Sequence, residues 1–248
     1  LEIVEKSICG DYRALNEDNT GVFRNQTDQI LLLVADGMGG HNYGDVASSM
    51  TTEFIKEAWE QENFLRLTEA EKFLRQLVIK TNRKLYDYQN EHQKYKGMGT
   101  TLVMAAIVEG IIIVLNVGDS RCYAMNRRSI EQVTRDHSFV NILVDTGEIT
   151  EEEAFHHPKR NMVTKAMGTE RLIQPDIFRL RNKQYDYLLL ASDGLTDEVR
   201  ENEIHSIMLD TKHSLDDRAL KLIERAQSNG STDNISVCVA ALKASEAM

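Results

Sequence analysis

Residues 101–120 read TLVMAAIV, EG, IIIVLNV and GDS. Two apolar runs, 101–108 and 111–117, flank Glu109-Gly110, a dipeptide suited to a tight reversal. The stretch therefore predicts an antiparallel hairpin. Neither run alternates polar with apolar residues, so both faces of these strands should be covered. Working outward, 121–125 and 130–133 flank Asn126-Arg127-Arg128 and continue the meander. Further strands are expected at 30–35, 177–180, 187–191 and 235–240. Helical spacing appears between the strand blocks. One helix is expected over 45–60. A second follows a capping box of Thr68 with Glu71 and carries Leu74, Leu77, Val78, Leu85 and Tyr88. A third spans 214–227, with Leu215, Ala219, Leu222, Ile223 and Ala226 on one stripe and Gly230 beyond its end. The segment 137–161 is irregular, with a stop at Gly147 and a second capping box, Thr150 with Glu153. This order does not alternate as a doubly wound sheet would. It predicts an α+β fold with antiparallel sheets and helices packed outside.

The chain has 248 residues, 42% hydrophobic and 27% charged, an ordinary composition for a globular protein. Its 29 Lys and Arg against 39 Asp and Glu leave a net charge of −10. That acidity argues against a duplex nucleic-acid binder, which needs clustered cations, and against a polybasic membrane surface. The longest apolar run, 102–108, is far below the ~18 residues of a membrane helix. No charged-then-apolar leader opens the chain, and Leu1 at its start points to trimming. Two prolines, Pro158 and Pro175, and no linker or repeat predict one domain over 1–248. Cys9, Cys122 and Cys238 form no CxxC pair. All three are expected as small buried hydrophobes in a reducing cytoplasm.

The chemistry lies at strand ends. Asp36-Gly37, Asp119-Ser120 and Asp193-Gly194 each close an apolar run, Asp233-Asn234 enters the last strand, and Glu17-Asp18 lies between the first two strands. One Asp-Gly is usually only a turn. Four strand-end aspartates with Glu17 are more, because antiparallel sheets can deliver them to one edge. Gathered carboxylates repel, and must bind a cation or take up protons. Oxygen-only donors suit Mg2+ or Mn2+. No HExxH, P-loop or GxSxG offers a rival site. Arg13, four residues before Glu17, offers a fork for two phosphate oxygens.

Arg13-x-x-Asn16-Glu17-Asp18, Asp36-Gly37-Met38-Gly39-Gly40-His41, Gly97-Met98-Gly99-Thr100-Thr101, Asn116-Val117-Gly118-Asp119-Ser120-Arg121, Asp136-His137-Ser138, Ser192-Asp193-Gly194 and Ser231-Thr232-Asp233-Asn234-Ile235 occur in this order. Together they resemble the metal-dependent protein phosphatase family, also called PPM or protein phosphatase 2C. The likeness covers nearly the whole chain. Gly147-Glu148-Ile149-Thr150 and His157-Pro158-x-Arg160-Asn161 resemble the flap of the bacterial branch, here about 137–165.

The resemblance implies a central β-sandwich of two antiparallel sheets flanked by helix pairs, in four layers. It implies two catalytic Mn2+ or Mg2+ ions and a weaker third. Asp36 would bridge two ions and Gly37 would add its carbonyl. Asp193 and Asp233 would complete the first ion, and Glu17 would act through water. Asp119 with Asp193 would hold the third, and Asp18 would give local support. The activity implied is hydrolysis of phosphoserine and phosphothreonine in proteins by a bridging hydroxide, with Arg13 on the phosphate. The partners implied are phosphoproteins marked by a Hanks-type Ser/Thr kinase. A cytoplasmic monomer is expected, with no nucleic acid and no membrane insertion. Many eukaryotic members have His after Asp-Gly as the proposed general acid, where this chain has Met38. His41 is read as a loop or capping residue.

Two other readings compete. Gly118-Asp119-Ser120 with His137 could serve a serine hydrolase, if Ser and His meet. A phosphatase-like binding or sensing module would announce itself by a missing metal aspartate, and Asp36, Asp193 and Asp233 are all present.

Overall fold

Along the strand Ile30–Met38, Leu31, Leu33 and Ala35 face one core, and Ile30, Leu32 and Val34 face another. That alternation sets the layers. The computed structural model describes residues 1–39 and 43–242. His41 and Gly40 lie outside the described residues. The strands are β1 (Glu2–Ile8), β2 (Asp18–Arg24), β3 (Ile30–Met38), β4 (Gly99–Thr100), β5 (Leu102–Val108), β6 (Ile111–Val117), β7 (Arg121–Met125), β8 (Ile130–Gln132), β9 (Asp176–Arg181), β10 (Tyr187–Ala191) and β11 (Ile235–Ala241). The helices are α1 (Gly44–Glu60), α2 (Leu67–Glu91), α3 (Phe139–Asp145), α4 (Glu151–Phe155), α5 (Asp193–Thr196), α6 (Glu201–Met208) and α7 (Leu215–Ser228).

Among the described residues, one sheet has the order β1-β11-β10-β7-β8 and the other β2-β3-β5-β6-β9, with β4 paired to β3. All these pairings are antiparallel. Between the sheets lie Leu32, Val34, Val103, Ile112, Val114, Leu188, Leu190 and Cys238. Outside one sheet, α1 and α2 bury Ile55, Trp59, Leu74 and Leu85 against Leu33, Met104 and Leu115. Outside the other, α6 and α7 bury Ile204, Leu222 and Ile223 against Leu189, Val237 and Val239. The result is the four-layer α-β-β-α sandwich, and the apolar strands are covered on both faces. The hairpin forms as read, with Glu109 at φ 49° and Gly110 at φ 77° between β5 and β6.

Three local expectations need correction. Thr68 does not cap α2: the helix starts one residue earlier, Arg66 is its N-cap, and no side chain caps it. The backbone N–H of Leu67 is met by Glu109 Oε2 at 2.7 Å, so a tertiary contact serves where a local cap was expected. Cys9 lies in the loop after β1 and is only partly buried, with its thiol 3.3 Å from the Arg13 carbonyl; Cys122 and Cys238 are buried in strands as expected. The helix α6 has no counterpart in the pattern reading. The second box is as read: Thr150 and Glu153 bond each other's backbone at the start of α4.

Candidate active site

β2 and β3 run side by side with Asp18 opposite Asp36. Asp36 is fixed by its backbone: its N–H donates to Thr101 Oγ1 at 3.0 Å, and its carbonyl accepts from Thr101 N at 2.8 Å and Thr100 Oγ1 at 2.8 Å. The next residue has to be glycine. A Cβ on Gly37 would lie 2.2 Å from the Gly44 carbonyl oxygen and 2.4 Å from that of Glu17. Gly37 N–H donates to the Glu17 carbonyl at 3.0 Å. Glu17 Oε1 accepts from Gly44 N–H at 3.1 Å, at the N-terminus of α1, where the helix favours negative charge.

The other sheet supplies the opposite wall. Ser192 closes β10 and donates its hydroxyl to Asp18 Oδ2 at 2.8 Å. Asp193 then opens α5. A Cβ on Gly194 would lie 1.9 Å from the Asn234 carbonyl oxygen, so this glycine lets the Asp193 and Asp233 turns pack together. Asn234 ties the loops: its Oδ1 accepts from Glu17 N–H at 2.9 Å and its amide donates to the carbonyls of Cys9 and Leu15. Arg13 Nη2 meets Asp233 Oδ2 at 2.6 Å. Asp119, only 6% exposed, comes from the turn between β6 and β7.

The charges respond to this crowding. Burial, then Asp18, Asp193 and Asp119, push Asp36 well above the usual carboxylate range. Burial, then Asp233, push Asp193 up to about 6. Burial, against help from Ser236 and Ser192, brings Asp18 to about 6. Asp119 is raised well up by burial and then by Asp193. Glu17 is raised by burial, opposed by the Gly44 N–H and by Arg13. Thus Arg13, Glu17, Asp36, Gly37, Asp119, Asp193 and Asp233, the residues expected from the sequence, form one neighbourhood.

The donor set fits a hard divalent cation. It is all oxygen, and Asp193 Oδ1 is buried with no hydrogen-bond partner. Among the described residues no three acidic, His or Cys side chains stand around one metal position. Hard cations of the Mg2+ kind are commonly held by one or two carboxylates with water completing the shell. The oxygen donors available to such a cation are the side chains of Glu17, Asp36, Asp119, Asp193 and Asp233 and the Gly37 carbonyl.

Asp197 belongs here too and was not singled out. Burial, then Asp193, bring it to about 7, and its Oδ2 lies 3.5 Å from Arg160 Nε. The legible signal was its spacing, one helical turn after Asp193. The serine-hydrolase geometry is not formed. Ser120 is fully buried, its hydroxyl 2.7 Å from Thr101 Oγ1, while His137 Nδ1 accepts from Gly118 N–H.

Comparison with known proteins agrees with this geometry. A family profile described as protein phosphatase 2C matches residues 11–230. The chain belongs to the protein phosphatase 2C family. A serine/threonine phosphatase stp of Listeria welshimeri is 42% identical over 229 residues, covering 92% of this chain and 90% of the relative. The crystal structure of serine/threonine phosphatase Stp1 from Staphylococcus aureus superposes with a TM-score of 0.96 at 48% identity, covering 98% of this chain and 96% of that one. The catalytic domain of the phosphatase PstP, solved in complex with two manganese ions, superposes with a TM-score of 0.81 at 30% identity over 96% of each chain. As a protein phosphatase 2C, this chain is a phosphoprotein phosphatase, an enzyme of α+β architecture.

Proposed function

We propose that this phosphatase removes phosphate from phosphoserine and phosphothreonine in proteins, using two Mn2+ or Mg2+ ions and a weaker third. The observation that carries the reading is the convergence of Glu17, Asp36, Asp119, Asp193 and Asp233 beside Arg13, with the carboxyls of Glu17, Asp36, Asp119 and Asp193 raised by burial and then by neighbouring carboxylates. The names of the Listeria and Staphylococcus relatives support the substrate class, and the PstP complex supports manganese. When bound, such cations supply positive charge that makes hydroxide available at neutral pH and screens the phosphoryl oxygens.

The protein's own groups do the rest. Asp36 and Asp193 would offer oxygens to such ions from the ends of strands in opposite sheets. A side chain at Gly44 would lie 2.6 Å from the Gly37 carbonyl oxygen, so the glycine at 44 leaves that oxygen room. Arg13 stands at the exposed rim, where its fork can take two phosphate oxygens and hold phosphorus for in-line attack. Fixed charges placed beforehand suit the loose transition state of phosphoryl transfer. Met38 has no proton to give, so protonation of the leaving Ser or Thr oxygen falls to water. No nucleophilic side chain is required.

The enzyme is read as one catalytic domain over 1–248, with residues 137–165 as a flap beside the site. The pairing of α3 and α4 outside the sheets supports a separate recognition element. A Hanks-type Ser/Thr kinase is the counterpart we assign, by analogy with the bacterial relatives. We place the enzyme in the cytoplasm as a monomer; among the described residues no helix is long and apolar enough to cross a membrane. The test is hydrolysis of p-nitrophenyl phosphate and of a phosphothreonine peptide with Mn2+, stopped by a chelator and restored by excess Mn2+. No turnover under saturating Mn2+ would leave only a binding module.

A further inference from the structure

We propose that His137 is a positioning residue that locks the entrance of the flap to the Gly118-Asp119 turn. This rests on reading Asp119 as a cation-holding carboxylate.

The contact is reciprocal. Gly118 N–H donates to His137 Nδ1 at 3.0 Å, and His137 N–H donates to the Gly118 carbonyl at 2.9 Å. A backbone N–H can only donate, so Nδ1 is the acceptor and the ring proton sits on Nε2. That nitrogen lies 3.3 Å from Asp176 Oδ2, and Lys165 Nζ lies 3.5 Å from Asp176 Oδ1. One ring thus joins the Gly118 turn to the start of β9.

Gly118 is a tight place to hold. Its φ is +112°, and a Cβ there would lie 2.6 Å from the Thr101 Cβ. Left to itself, a glycine at positive φ samples many conformations. Asp119 follows it directly, so the direction of its carboxylate depends on that backbone. Asn116 Nδ2 also donates to the Gly118 carbonyl at 3.1 Å, which steadies the oxygen but leaves the N–H to His137 alone among the hydrogen bonds described.

His137 also closes the flap's base. Its carbonyl accepts from Thr164 N–H at 2.8 Å, and Ser138 bridges Val163 in antiparallel fashion. The two ends of the flap are therefore joined at the residue that holds the Asp119 turn. Movement of the flap's root and reorientation of Asp119 share one set of hydrogen bonds. The polar atoms of His137 are taken up by Gly118, Thr164, Asp176 and Lys165, so its contribution is to place Asp119.

Two near-isosteric variants separate the ring's nitrogens. In His137→Asn, the amide oxygen takes the place of Nδ1 and keeps the Gly118 bond. In His137→Gln, the amide reaches toward Asp176 and leaves Gly118 N–H unmet. Amide exchange by NMR on metal-free protein is the first readout. The expected result is exchange at Gly118 and Thr164 about tenfold faster in His137→Gln and His137→Ala, the loss of one hydrogen bond, and near wild type in His137→Asn. The second readout is calorimetric titration with Mn2+, where the weakest binding step should fall by a similar factor in Gln and be retained in Asn. Equal behaviour of Asn and Gln, or Gly118 exchange unchanged in Gln, would overturn the proposal. If His137→Ala does not fold, the Asn and Gln pair still decides. Wild-type protein that neither binds Mn2+ nor turns over phosphopeptide would instead sink the functional reading, and the exchange data would still judge the clamp.

Discussion

The most exacting residue is Asp36, because three other aspartates press on it from two sheets. Asp36→Asn or Asp193→Asn should lower kcat for p-nitrophenyl phosphate by at least about 100-fold, the scale of losing one fixed charge contact at a reacting centre. The same changes remove a source of repulsion. With chelator present, melting of the Asp193→Asn protein should rise by about 2–4 °C at neutral pH, the shift that 1 kcal/mol gives in a domain of this size. A variant that lost activity and also melted lower without metal would count against a binding role. Arg13 is different, since it is partly exposed and bound to Asp233. Arg13→Ala should cut kcat/KM for the aryl phosphate roughly 10–100-fold, as expected of a charge-assisted phosphate contact, with Mn2+ affinity less affected. Unchanged kcat/KM would make Arg13 a surface cation only. Lys at this position should recover part of the loss, having charge but not the fork.

At the scale of elements, the flap offers a clean separation. Thr150 and Glu153 hold the start of α4, and α4 is five residues long, so its cap is a large share of its stability. Thr150→Ala should cost about 0.5–2 kcal/mol locally. Turnover of a phosphothreonine peptide should fall while that of p-nitrophenyl phosphate holds; equal losses on both substrates would mean that the flap serves chemistry rather than recognition. The elements also show what was legible. The hairpin of β5 and β6 was, because Glu109-Gly110 can take the positive φ that such a turn requires. The strand-end aspartates were, because Asp-Gly after an apolar run marks both a turn and a close approach. The start of α2 was not: its first N–H is met by Glu109, a residue forty-two positions away, which no local pattern announces. Nor was α6, whose eight residues bury only Ile204 and Met208, too short a stripe to show a period. Asp197 escaped for a related reason, since its ion-pair partner Arg160 comes from a distant part of the chain.

For the whole molecule, burial of so many carboxylates ties folding to pH and to metal. In chelator, Asp18 and Asp193 ionise at about 6 in the folded chain, above their ordinary value of 3.8. Between those values the folded state holds more protons than the unfolded one, so their contribution is full below about pH 4 and is lost as pH rises through 6. The deficit of wild type relative to Asp193→Asn should therefore be small at pH 4 and grow to its full size by pH 7, as followed by thermal melts. Adding Mn2+ at pH 7.5 should reverse it, since a ligand that binds only the folded state raises stability by mass action. A gap that widened toward acid would refute this. The sheet order carries a last consequence, for synthesis. β11 lies between β1 and β10, pairing Glu2 with Ala241, while the other sheet draws its strands, β2 to β6 and β9, from an inner span of the chain. On the ribosome that inner span can assemble early, but β1 must wait for β11. Such distant pairing slows folding. Asp233 stands just before β11, so on the proposed metal reading a nascent chain lacks part of its oxygen donor set, and with it turnover, until β11 is released.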